Sequence, residues 1–384
     1  MPGNSILSGR TDCRPEDVQY DPESLHRLDG FFKDLIDREK LQCASYLLSR
    51  HGKVFAHASM GFLKKQGAGD PFMPDSIRRI ASITKLFTAI GIMQLVEDGK
   101  LYLYKSVSSF IKEFDTDQHR SITIEHLLSH TSGAVKPDPG AMAEAYSVPY
   151  FPVWPIETEE QKHECFKALL TGHSYNKPGK EWAYSSAGYI FLAEIISIVS
   201  GMPYFDYIRK NIFGPLGMDR TFFRVPDKLL PETCTIEGER GPDPSDGDTM
   251  PVYLQPFRGG GGIFSTLGDL WKFAQAVLNG GQLNSKRILG EHTLNIMTTN
   301  RLAPGVTSVC WGQNLKDVTY GLGFGFDNQG LPSNASYGHE GAGRSRLMID
   351  PVEKLIAVYF APSPVDWLPE SIRMPPQIIW SGLE

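Results

Sequence analysis

Ser82 and Lys85 stand three residues apart in "RIASITKLFTAIGIMQLVEDG", residues 79 to 99, where a loop becomes a long apolar helix. Helix positions i and i+3 share a face, so a lysine in a dry site could take the hydroxyl proton and make Ser82 a nucleophile. The plainer reading is a helix N-cap, for which serine is among the preferred residues. Lys85 weighs against a simple cap, because an ammonium in the first turn opposes the helix dipole and burying one is costly. The same spacing recurs at Ser109/Lys112 and Ser174/Lys177. Only the first pair opens a run (Ile83, Leu86, Phe87, Ile90, Met93, Leu95, Val96) that is apolar almost all round and therefore predicts a buried helix. Ser109 falls in a short amphipathic "VSSFIKEF", with Lys112 expected in solvent, and Ser174 in the loop "GHSYNKPGK".

Two further segments carry usable chemistry. "PGKEWAYSSAGYIFLAEII" puts Tyr184 in a loop just before a helix, and tyrosine and lysine have ordinary pKa values of about 10 and 10.4. In a shared site one can hold the proton while the other acts as base. The bland alternative is a half-buried loop tyrosine bonded to backbone. Tyr104-Lys105-Ser106 repeats the Tyr-x-Ser spacing with no such helix behind it. "YGHEGAGRSRLMID" sets Gly338, Gly341, Ala342 and Gly343 at a strand edge, where small residues admit a substrate backbone, with His339 a partly cationic neighbour. Its alternative is a glycine-rich bulge with a solvent-facing histidine.

Several classes are disfavoured. GxSxG is missing, and the runs "RGGGGIF" and "GLGFGF" complete neither GxGxxG nor the phosphate-loop pattern. His126 and His130 in "EHLLSH" are four apart but have no third ligand nearby, which favours histidines bonded locally at a helix end over a metal site. A net charge of −6 with scattered basic residues gives no footprint for nucleic acid. The five cysteines, Cys13, Cys43, Cys165, Cys234 and Cys310, form no CxxC pair and read as buried or incidental thiols. The apolar runs "LFTAIGIMQLV" and "YIFLAEIISIV" are too short for a membrane span. The N-terminus has no signal-peptide pattern, so the chain as written reads as cytoplasmic; with a leader ahead of it, it would be exported.

The elements that must position these groups follow from periodicity. A helix over "PESLHRLDGFFKDLIDREK" precedes a hairpin turning at His51-Gly52-Lys53, and the SxxK helix ends near Asp98-Gly99. The middle is mostly helical, interrupted by the aromatic loop 136–157 and the acidic loop 231–250. Strand patterns return after Leu302, with a turn at Asp350-Pro351. The expectation is a discontinuous sheet domain, 1–102 and 303–384, with a mainly helical domain, 103–302, between its halves.

Taken in order, Ser82-Ile-Thr-Lys85, Tyr184-Ser-Ser186 and His339-Glu-Gly341 resemble the three motifs of the penicillin-recognising serine hydrolases, which include class C β-lactamases, D-alanyl-D-alanine carboxypeptidases and β-lactamase-fold esterases. "ITIEHLLSHTSG", "IFGPLGMDRT" and "GGGGIFSTLGDLWKFAQAVLNGG" agree with that resemblance, which runs from about Leu25 to Ala361. It implies an α+β fold, an antiparallel sheet flanked by helices plus an all-helical domain, with the site in the cleft between them. It further implies Ser82 as the acylated nucleophile, Lys85 as its base, Tyr184 as proton carrier, and the amides of Ser82 and Ala342 as oxyanion hole. Ser186, His339 and Gly341 would contact substrate, and neither metal nor organic cofactor is implied. Ser186 stands where the family often has Asn, and His339 where efficient β-lactamases commonly have Lys. Both departures shift the expected substrate from a β-lactam or peptide toward a small carboxylic ester. In that case Tyr146, Tyr150, Phe151 and Trp154 of the aromatic loop would shape an apolar acyl pocket. The alternatives are a carboxypeptidase or β-lactamase, and a non-catalytic relative that keeps the fold.

Overall fold

The structure is a computed structural model that describes residues 5–64, 70–133, 135, 156–170, 177–236, 250–310, 313–315, 318–327, 330–363 and 370–384. Ser174, the four aromatic residues proposed for an acyl pocket and most of the acidic loop lie outside the described residues.

A short strand β1 (Leu7–Ser8) precedes helix α1 (Pro22–Asp37), whose start is set by Asp21 accepting from the Glu23 amide and by proline at the first helical position. Strands β2 (Cys43–Arg50) and β3 (Lys53–Gly61) form the expected hairpin, with φ of 53° at His51 and 79° at Gly52, as a two-residue turn between twisted strands requires. Strand β4 (Ile77–Arg79) leads into α2 (Thr84–Glu97). Helices α3 (Ile124–Leu128), α4 (Glu159–Leu170), α5 (Ser186–Ser200), α6 (Tyr204–Ile208) and α7 (Gly214–Leu216) follow. Then come β5 (Thr233–Cys234), β6 (Phe264–Ser265), α8 (Leu267–Leu278), β7 (Gln282–Leu283), β8 (Lys286–Arg287), α9 (Glu291–Met297), β9 (Ser308–Cys310) and β10 (Gln313–Leu315). The chain closes with β11 (Gly325–Phe326), β12 (Tyr337–Gly341), β13 (Ser345–Asp350), β14 (Leu355–Phe360) and α10 (Glu370–Trp380).

The main sheet has seven strands in the order β1-β3-β2-β14-β13-β12-β11, and its pairings are antiparallel. Its centre is therefore a junction between the two ends of the chain, β2 against β14. Strand alternation divides the interior in two. Tyr46, Leu48, Ala357 and Tyr359 face a core shared with α1 and α10, while Leu47, Ile356 and Val358 face the larger core that contains α2, α5 and α8. The result is the expected α+β class.

Helix α2 is the spine of the larger core. All its residues except Gln94, Val96 and Glu97 are buried, which explains why its sequence lacks a polar face. It packs chiefly against α5, whose cap is Ser185 accepting from the Gly188 amide and whose end is Gly201 at φ 68°. No single helix among the described residues is long and apolar enough to cross a membrane. Cys43, Cys165 and Cys234 are buried thiols.

Candidate active site

Ser82 is not a helix cap. It lies in a 3-10 turn, Ala81–Ile83, ahead of α2, and no side chain caps either element. Ala81 holds φ at 44°, a left-handed conformation that costs a residue with a Cβ roughly 1–3 kcal/mol and persists only where its surroundings enforce it. Those surroundings are visible. The Ile80 amide donates to the Ile263 carbonyl at 3.0 Å, the Ser345 hydroxyl donates to the Ile80 carbonyl at 3.0 Å, and the Ile263 amide donates to Thr84 Oγ1 at 3.2 Å. The turn is thus pinned both to the β12–β13 side and to the segment before β6.

Lys85 is wholly buried, while Ser82 is half-buried and reachable from outside. The lysine Nζ donates to Ser82 Oγ at 3.1 Å, Ser186 Oγ at 2.9 Å and the Gly260 carbonyl at 2.9 Å, and lies 4.8 Å from the Tyr184 ring centroid. These acceptors offset the cost of taking an amine out of water. Ser186, expected against substrate, accepts a hydrogen bond from the lysine.

Tyr184 is half-buried and its segment is fixed to the turn that follows α3. The Ala183 amide donates to the His130 carbonyl at 2.9 Å, the Ser185 amide donates to His130 Nδ1 at 3.1 Å, and the two rings sit 4.6 Å apart. Since His130 Nδ1 accepts, its proton is on Nε2, and burial together with nearby Lys85 pushes its pKa well below the ordinary value. His126 does something separate: its Nδ1 accepts from the Thr123 amide while Thr123 Oγ1 accepts from the His126 amide, a reciprocal cap of α3. The two histidines are thus engaged with different backbone segments.

The third motif lies on β12, where β11 pairs only with Tyr337 and Gly338 and leaves the edge beyond them without a strand among the described residues. Gly341 is required by close approach: a Cβ there would lie 2.2 Å from the Ile80 carbonyl oxygen and 2.3 Å from Ser345 Oγ. That contact brings Ala342, exposed at the strand end, to the turn that carries Ser82. His339 departs from the expected partly cationic role. Burial, reinforced by Lys85, lowers its pKa to about 3, and its ring lies 6.2 Å from that of Tyr184.

Two contributors escaped sequence reasoning. Gly260, in a glycine run with no role assigned to it, has a carbonyl that receives Lys85, and a Cβ there would sit 3.3 Å from Ser186 Cβ. Arg78, only 1% exposed, donates to the Gly343 carbonyl at 3.0 Å and to the Cys234 carbonyl at 3.4 Å, bracing the loop after Ala342. A glycine run between helices is a signal for the first; the second has no sequence signature.

Comparisons with known proteins give the family. Residues 28–366 match the beta-lactamase family. Penicillin-binding protein 4* of Bacillus subtilis (strain 168) is 31% identical over 264 residues, covering 65% of this chain and 55% of the relative. The D-alanyl-D-alanine-carboxypeptidase/endopeptidase AmpH of Escherichia coli (strain K12) is 32% identical over 209 residues, covering 53% and 50%. The chain thus spans about half the length of these curated relatives. Among solved structures, EstCE1, described as a hydrolase with promiscuous acyltransferase activity, superimposes with a TM-score of 0.72 at 20% identity, covering 94% of this chain and 99% of that one, a likeness of fold. With a family match over most of its length and the corresponding fold, the chain belongs to the beta-lactamase family of serine hydrolases.

Proposed function

We propose that the protein is a carboxylesterase that works through an acyl-enzyme on Ser82. The observation that carries this reading is the buried Lys85 Nζ held between Ser82 Oγ and Ser186 Oγ, at 3.1 and 2.9 Å. Lys85 takes the hydroxyl proton as Ser82 Oγ bonds to the ester carbonyl carbon, and the amides of Ser82 and Ala342 receive the developing oxyanion, each donor worth roughly 3 kcal/mol in comparable sites. The C–O bond then breaks, and the alkoxide receives its proton through Tyr184. Water attacks the acyl-enzyme, its proton returning by the same pair, and the carboxylic acid leaves with Ser82 restored.

Ester is favoured over β-lactam or peptide because Ser186, shorter than the family's frequent Asn, is engaged with the lysine, and because His339 offers no cation to a substrate carboxylate. Gly341 supports the binding of substrate along the open edge of β12. The curated relatives' names favour a second reading, a D-alanyl-D-alanine carboxypeptidase or penicillin-binding protein. Intact-mass spectrometry after a fluorophosphonate, and separately after a penicillin, tests both. A Ser82 adduct with turnover of nitrophenyl esters but not of a chromogenic cephalosporin is expected. Rapid cephalosporin or D-Ala-D-Ala turnover would overturn the ester assignment, and no adduct with either reagent would remove Ser82 as nucleophile.

A further inference from the structure

A cavity of about 180 Å³ is walled by Trp182, Tyr184, Tyr320, Phe326, Tyr337 and His339. A dry engineered cavity of about 150 Å³ accepts benzene, so this one has room for a single ring. Its polar features are specific. His339 Nδ1 lies 2.6 Å from the Glu340 carbonyl oxygen, which can only accept, so the proton sits on Nδ1. Nε2 is then a lone pair, and it has no hydrogen-bond partner among the described residues. The one guanidinium in the wall, Arg346, is tied to Asp327 and Glu340, two carboxylates that also line the cavity. The Nε2 lone pair is itself buried, so what the wall offers is aromatic faces and a formal excess of negative charge.

Resting on the ester reading above, we propose that this cavity is the leaving-group subsite and that it takes an uncharged alcohol of about one ring, phenol-like in shape, while excluding leaving groups that carry a carboxylate. Tyr184 lies against Lys85 and also lines the cavity, which sets this space beside the proton carrier of the ester reading. A carboxylate there would meet an ion cluster already supplied with anions, Asp327 and Glu340 around Arg346, which is unfavourable in a partly desolvated wall.

The test holds the acyl group constant and varies only the leaving group: phenyl acetate, 4-carbamoylphenyl acetate and the near-isosteric 4-carboxyphenyl acetate. The two uncharged esters should exceed the carboxylated one in kcat/KM by tenfold or more. His339→Lys should narrow that ratio at least tenfold by improving the carboxylated ester, and Glu340→Lys, at an exposed position, should shift it the same way if the first variant fails to fold. Equal kcat/KM for carbamoyl and carboxyl esters in the unmodified protein, or a ratio untouched by the folded variant, overturns the subsite. Fluorophosphonate labelling of Ser82 in the same preparations separates the failures. A labelled enzyme with no charge preference refutes the subsite alone, whereas an unlabelled one refutes the nucleophile and the subsite with it.

Discussion

Ser82/Lys85 and Ser109/Lys112 share one spacing and have opposite surroundings. Ser109 and Lys112 are both exposed, on successive 3-10 turns, Val107–Ser109 and Lys112–Phe114. Lys85 is wholly buried in the first turn of a core helix, three acceptors around its Nζ, and the turn before it is pinned on two sides. A solvated ammonium keeps its proton and its mobility; a buried amine with fixed partners can exchange one with a fixed hydroxyl. Spacing selects candidates, and the surrounding core decides which candidate has chemistry.

The sharpest way to break this contrast is paired substitution. Ser82→Ala should lower ester turnover by roughly 10⁴-fold or more, as losing a nucleophile does elsewhere, and Ser109→Ala should leave it unchanged. Lys85→Met against Lys112→Met should follow the same division, read as the rate of fluorophosphonate labelling of Ser82. An equal effect within either pair would mean that burial is not what separates them. Next in size, Tyr184→Phe should reduce kcat by roughly 10²-fold with KM little changed, the range of one general acid–base group. An unchanged rate removes Tyr184 from the mechanism.

Smaller effects probe the frame around the pair. Gly341→Ala should cost about 1–3 kcal/mol in urea denaturation, the range for overpacking, because the new methyl meets the Ile80 carbonyl, and it should slow Ser82 labelling as well. Full stability with slowed labelling would show that the turn yields and the strand does not. The last test is pH. His130 and His339 both have folded pKa values below the ordinary 6.5, that of His339 about 3. Between about pH 6.5 and 3 the unfolded chain therefore binds protons that the folded chain refuses, so stability rises with pH and is lost as pH falls. From pH 6.5 to 5 the loss from His339 should be roughly 1.5 kcal/mol, with His130 adding to it in the same direction, measured by denaturant titration at both values. A flat profile would mean that these rings are more hydrated than their packing implies.

Much of the fold was legible. The hairpin at His51-Gly52, the buried helix after Ser82 and the return to strands after Leu302 all follow from side-chain periodicity, which survives into the folded chain because burial enforces it. The site was legible where side chains carry it, at Ser82, Lys85, Tyr184 and His339. It was not legible where carbonyls do: Gly260, Ile80 and Gly343 accept key hydrogen bonds, and a backbone acceptor has no residue type. How far the His339 pKa falls was also not legible, because that depends on what surrounds the ring, including a lysine 254 positions away in sequence.

The β2–β14 pairing has a consequence for how the protein is made. A chain emerging from the ribosome carries Ser82, Lys85 and Tyr184 long before it carries β12, and the sheet in which β12 is anchored closes only when β14 reaches β2. Such distant pairing is among the slower steps in folding. The nascent chain thus holds Ser82 and Lys85 without the strand that completes their surroundings, and the site is assembled only when the last strands have docked.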